Sequence, residues 1–159
     1  MTTESEGRLT TYRHRGYGFT LPIPDAWWWR ADIDESTALI VLEPDVGQAF
    51  RANIVVTVVD VPDGLTFDDW RELNDQTNER ELDDYLLLDA DQYDHHGRQE
   101  FYRLAHHSGP EGEAITIQQW SIMRHRQGFT LTASTDTLAF QHTIALFTHI
   151  ADAFEVDDD

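Results

Sequence analysis

The sequence predicts an α+β fold in which an antiparallel sheet carries helices, and three observations predict it. The first half breaks into short strand-like runs separated by proline and glycine. The second half holds two hairpin patterns, and two amphipathic helical segments are set among them, one between the halves and one at the end. At 159 residues the chain has the size of one domain, because domains typically hold roughly 100–200 residues and that length buries enough surface to fold without covalent staples.

Residues 1–15 are polar and mixed in charge and are expected to form a flexible N-terminal segment. A single domain is expected over 16–156, with Asp157, Asp158 and Asp159 as a loose acidic tail. Strands are predicted at 17–21, 27–30, 38–43 and 52–60, interrupted by Pro22, Pro24, Pro44 and Gly47. Ile54, Val55, Val56, Val58 and Val59 make a nearly continuous β-branched run, which predicts a central strand covered on both faces. After the turn Pro62-Asp63-Gly64, Thr66 is placed to cap a helix with Asp69 three residues on. Phe67, Trp70, Leu73 and Thr77 recur at helical spacing and are expected to face the sheet, with the acidic residues outward.

Two hairpins follow, with turns predicted at Gly97-Arg98 and at Arg126-Gln127. The second register places Trp120 and Ile122 on one face with Phe129, Leu131 and Ala133, a contiguous apolar surface. A final helix, capped by Asp136 or Thr137, aligns Phe140, Ile144, Phe147, Ile150, Ala151 and Phe154 on one stripe expected to bury.

This element order, the opening Gly18-Phe19-Thr20-Leu21-Pro22-Ile23-Pro24 with Trp27 nearby, and Phe50 followed by Ala52-Asn53-Ile54-Val55-Val56 resemble the LpqN-type actinobacterial proteins of the wider PsbP-like superfamily. The resemblance spans about residues 16–156 and rests on core strand patterns. It implies an αβα sandwich, an antiparallel sheet flanked by helices. It also implies a binding role, since that superfamily includes GTPase accessories, photosystem subunits, lipoproteins and chaperone-like adaptors, and it supplies no catalytic residue.

Charge and composition narrow the partners. Eleven basic residues, all Arg, face 30 acidic ones, for a formal charge of −19. Nucleic acid and anionic membrane are poor partners for such a chain, because both are bound by clustered Lys and Arg; a basic protein segment suits it better, although acidity alone also serves solubility. There is no Cys, which removes disulfides, thiolate metal sites and Cys nucleophiles. The longest apolar runs, 39–42 and 54–59, fall far short of the ~20 residues that span a bilayer, and no export signal opens the chain, so a cytoplasmic location is expected.

No motif for catalysis or for a cofactor is present, so a non-enzymatic role is expected and no cofactor is assigned. The doublets His95-His96 and His106-His107 lie on opposite arms and at opposite ends of the first hairpin, too far apart to share a metal ion; His95 is expected to face Glu100, and His106 to face Asp89. On the last helix, His149 and Asp152 are spaced for a surface ion pair. Ser108 sits in turn-forming sequence without a nucleophile elbow.

The most unusual feature is Trp27-Trp28-Trp29, three of the five Trp in succession. Aromatic bulk of this kind belongs in a core when both sheet faces are covered. Where one side is open, an exposed Trp anchors a partner's apolar segment. The candidate partner-binding residues are therefore Trp27, Trp28 and Trp29 with Tyr17 and Phe19, in an apolar groove rimmed by acids. The function expected is a protein-interaction or adaptor module; the alternative is a small-ligand carrier with a pocket between sheet and helix.

Overall fold

Pro44 and Gly47 separate strands as the sequence suggests, whereas Pro22 and Pro24 lie within one. The computed structural model, which describes residues 8–158, runs β1 (Leu9–His14), β2 (Phe19–Pro24), β3 (Trp28–Ala31), β4 (Thr37–Leu42), β5 (Asn53–Asp60), α1 (Phe67–Glu81), β6 (Asp83–His95), β7 (Arg98–Ser108), β8 (Ala114–Arg124), β9 (Gln127–Asp136), a 3-10 turn (Thr137–Ala139), α2 (Phe140–Ala153) and β10 (Glu155–Val156). The strands form two sheets rather than one. Seven pair in the order β3-β4-β5-β9-β8-β7-β6 and three in the order β1-β2-β10, with antiparallel pairing throughout.

The ends of the chain correct the expectation of loose termini. Residues 1–7 and Asp159 lie outside the described residues. Within the segment expected to be flexible, Leu9–His14 is strand β1, paired with β2 from Leu9↔Pro24 to His14↔Phe19. Pro22 and Pro24 do not end β2. The Asp25 amide donates to the Arg8 carbonyl, so odd-numbered residues of β2 point their amides at β1, and the two prolines lack theirs on the far side. There β10 covers only Thr20 and Phe19. Asp157 is tied down as well: Arg13 pairs with its carboxylate, Arg98 and Arg124 donate to its carbonyl at 2.9 and 3.1 Å, and its amide bonds Gly18.

One face of the large sheet is the apolar core. Ile54, Val56 and Val58 of β5, Phe129, Leu131 and Ala133 of β9, and Trp120 and Ile122 of β8 are almost wholly buried. They pack with Phe19 and Leu21 of β2 and with Phe147, Ile150 and Phe154 around the second half of α2. The predicted face of the β8–β9 hairpin is therefore present, but the partners slide: the turn is His125-Arg126, so Ile122 pairs Phe129 and Trp120 pairs Leu131. The β6–β7 turn likewise sits at His96-Gly97, where both residues have positive φ, 51° and 83°, as a tight two-residue hairpin turn requires. His95 then pairs Arg98, and bulges place His106 opposite Leu86 instead of Asp89.

The other face, covered by α1, is mixed: Ala105, Ile115 and Ile117 form a small buried apolar cluster with Leu82 and Tyr85, and polar groups fill the middle. The Thr66 cap forms as expected, with the Asp69 amide donating to Thr66 Oγ1 at 3.1 Å and Asp69 Oδ2 accepting the Thr66 amide at 3.0 Å. Trp70 is the one buried residue of this helix. Its indole rests on Gly128, where any Cβ would come within 2.2 Å of the ring. Leu73 does not face the sheet: it is 45% exposed. Inward positions are taken by polar groups instead. Asp75 pairs with the buried Arg103, Arg103 Nη2 donates to the Arg71 carbonyl at 2.7 Å, and Asn78 Nδ2 donates to Gln119 Oε1 at 2.9 Å. The run 54–59 is consequently covered unequally, since Val59 remains 37% exposed on the α1 side.

Candidate functional site

The first half of α2 does not follow its second half into the core. Asp136 caps the preceding 3-10 turn by accepting the Leu138 amide at 2.8 Å, which sets Leu138 out at 91% exposure, and Ile144, expected to be buried, is 37% exposed. Opposite stand Trp27 at the end of β2 and the loop after β4. That loop is held in shape by its own side chains: Gln48 Nε2 donates to the Pro44 carbonyl at 2.9 Å, Gln48 Oε1 accepts the Val46 amide at 2.8 Å, and Glu43 Oε1 accepts the Ala52 amide at 2.7 Å. Between loop and helix lies an open groove of about 750 Å³. Its floor and walls include Trp27, Pro44, Phe50, Ala139 and Leu146, and Val46 and Leu138 are exposed lips on opposite sides.

Polar groups in the groove are few. Glu43 and Asp136 bring acid to it and His142 is the one titratable group of the other kind; no arginine lines it. Leu138 escaped the sequence reading, although Leu138, His142 and Leu146 recur every four residues. The signal was masked because Phe140 and Ile144 form a competing stripe on the same turns.

The five aromatic residues predicted to act together are separated by the structure. Trp27 lines the groove and packs partly against the core. Trp28 and Trp29, on edge strand β3, are 51% and 49% exposed, and the Trp29 ring lies 4.9 Å from Tyr12. Tyr17 is half-buried, stacked on His14. Phe19 is fully buried against His14, Phe129 and Phe154, which takes it out of any docking surface.

A second unusual place lies under the C-terminal end of α2. Glu100 on β7 is completely buried, and burial, opposed in part by Tyr93, pushes its carboxyl up to about 7. His95 Nδ1 lies 3.3 Å from Glu100 Oε1, so the expected contact forms even though the strand register pairs His95 with Arg98. Burial and the adjacent Glu100 raise the Tyr93 hydroxyl. No group of three metal-ligating side chains occurs among the described residues. Ser108 ends β7 and its carbonyl, not its hydroxyl, meets His107. Asp152 is met by His96, through its carbonyl, rather than by His149.

No protein-family model matches the chain, and no curated protein matches it. Solved structures do match. CyanoP, the cyanobacterial PsbP of Synechocystis sp. PCC 6803, superposes with a TM-score of 0.70 at 15% identity, over 94% of this chain and 92% of that one. LpqN of Mycobacterium tuberculosis, involved in cell envelope biogenesis, gives 0.69 at 14% over 94% and 90%. The Pseudomonas aeruginosa protein PA94, a candidate regulator of unknown function, gives 0.69 at 22% over 96% and 99%. The Saccharomyces cerevisiae Ran-binding protein Mog1p gives 0.63 at 12% over 95% and 96%. The chain therefore has the α+β fold of PsbP-like and LpqN-like proteins. At these identities the likeness concerns the fold alone, and LpqN is matched no better than CyanoP, so the narrower LpqN-type resemblance reduces to this shared fold.

Proposed function

We propose that the protein is a non-enzymatic interaction module that receives an apolar segment of a partner protein, flanked by basic residues, in the groove beside Trp27. The observation that carries this reading is the open, apolar groove whose charged lining is acidic. Apolar side chains supply burial there, and Glu43 and Asp136, within a chain of net charge −19, favour a partner carrying Lys or Arg. The likeness to the Ran-binding protein Mog1p agrees with a binding role. The same volume, about 750 Å³, lies in the ~300–1,000 Å³ range of ligand pockets, which supports small-ligand carriage as the second reading. The exposed lips favour a chain-like occupant over an enclosed one.

The test uses synthetic apolar peptides with Arg flanks and with Glu flanks, followed by the five indole N–H signals in NMR. The expected result is a shift at Trp27, at least about tenfold tighter binding of the Arg-flanked peptide, and loss of binding in Trp27→Ala. Equal binding of both peptides, or shifts confined to Trp28 and Trp29, would overturn the reading. An apolar small molecule that shifts the Trp27 signal while neither peptide binds would select the carrier.

A further inference from the structure

Two largely buried histidines show how surroundings dictate protonation. His14 Nδ1 accepts the Tyr17 amide at 3.1 Å and its Nε2 lies 2.7 Å from Asp32 Oδ1, so one neutral tautomer satisfies both contacts. His95 has acceptors on both sides. Its Nε2 lies 3.1 Å from the Phe154 carbonyl oxygen and its Nδ1 3.3 Å from Glu100 Oε1. A carbonyl donates nothing, so Nε2 carries a hydrogen; Nδ1 and Glu100 must then hold one more proton between them, on the ring or on the carboxyl. Without it, a ring lone pair would face a carboxylate in a site with little water to screen the repulsion.

We propose that His95 and Glu100 form a one-proton latch, fastening the β6–β7 turn to the C-terminal residues 152–158 and loosening them when the shared proton leaves. The geometry places the latch where it matters. The same turn reaches the segment through its neighbours as well: His96 Nε2 lies 3.2 Å from the Asp152 carbonyl oxygen, and Arg98 Nη2 donates to the Asp157 carbonyl at 2.9 Å. Beyond Phe154, β10 closes the small sheet on β2. The titratable and charged groups around Glu100 are Tyr93 and His95 from β6 and Asp152 from α2. His96, Arg98 and Glu155 surround the adjoining cleft of about 350 Å³. Arg98 is already bonded to Asp157 and Asp158, and Asp152 opposes ionisation of Glu100. The Tyr93 hydroxyl donates to Glu100 and so opposes its protonation in part, leaving the contact between Nδ1 and Oε1 to the shared proton.

The sign follows from linkage. An ordinary carboxyl near 4.5 is ionised in the unfolded chain, whereas the folded Glu100 keeps its proton up to about 7. The stability this proton confers is complete below about 4.5 and is lost as pH rises through about 7.

Carboxyl and histidine side-chain NMR with amide hydrogen exchange on the full chain, from about pH 5 to about 9, tests the latch. The expected result is that the Glu100 carboxyl signal moves in one transition near neutrality. Across it, opening at Glu155 and Val156, corrected for intrinsic exchange, rises about tenfold. Glu100→Gln, whose amide donates to Nδ1 at every pH, should remove the pH dependence of that opening while keeping the segment fastened. If that variant fails to fold, the wild-type titration decides alone. Glu100 titrating near its ordinary value, or opening unchanged across the transition, would overturn the proposal.

Discussion

The two faces of the seven-stranded sheet are made by the same strands and solve burial in opposite ways. Toward α2 the alternate residues Ile54, Val56, Phe129 and Leu131 are at most 1% exposed and belong to the main apolar core. Toward α1 the middle of the sheet presents Thr57, Thr130 and Thr132 with Gln119 and Arg103 of the adjoining strands, which form a polar layer with Asn74, Thr77 and Asn78. The first interface is held by area removed from water, which is non-directional. The second depends on paired hydrogen bonds, so it fixes where α1 lies but penalises any group left unpaired. Helical periodicity identifies an inward face only when that face is apolar. Trp70 was therefore legible as a core residue, and the inward Asn78 and Asp75 were not.

Substitutions sharpen this contrast, and they rank by how much burial each removes. Phe129→Ala on the apolar face should cost about 3–5 kcal/mol in urea unfolding, the expectation for a fully buried aromatic that leaves a cavity. Asp75→Ala on the polar face should cost about 3 kcal/mol, because Arg103 is left buried and unpaired; Arg103→Met with Asp75→Leu together should recover most of it. If the double variant is no better than the single, the polar face is held by specific bonds whose loss cannot be offset by apolar area. Gly128→Ala should cost about 1–3 kcal/mol by driving the Trp70 indole off the sheet. Trp28→Ala, on the exposed edge and outside both interfaces, should change stability by less than about 0.5 kcal/mol. A larger loss there would mean that β3 carries more of the fold than its exposure indicates.

The groove belongs to neither interface, and it arises where α2 changes allegiance between its halves. The C-terminal half presents Phe147, Ile150 and Ala151 to the core, while the N-terminal half, joined to β9 through Thr143 and Thr135, borders the groove that faces Trp27 and the loop after β4. The apolar stripe of this helix was readable along its whole length, yet its upper anchor Ile144 stays out. The tryptophan triplet was readable as unusual, but which indole would serve was not: local sequence puts three together, and only the end of β2 turns Trp27 toward α2. Phe19 sits in the same stretch and is sealed inside.

What the chain determined by itself is what local chemistry can decide. The Thr66–Asp69 capping box, the apolar parity of Trp120, Ile122, Phe129 and Leu131, and the acidity of the chain follow from residue spacing and composition. Hairpin turns moved by one residue without changing faces, because a register slip of two preserves side-chain alternation. Tertiary structure alone decided the strand at Leu9–His14, the polar face inside α1, the clasp on Asp157, the groove and the proton shared by His95 and Glu100. Each depends on groups far apart in sequence meeting in space, and a buried contact takes its protonation and its worth from the partner it meets, which no local pattern contains.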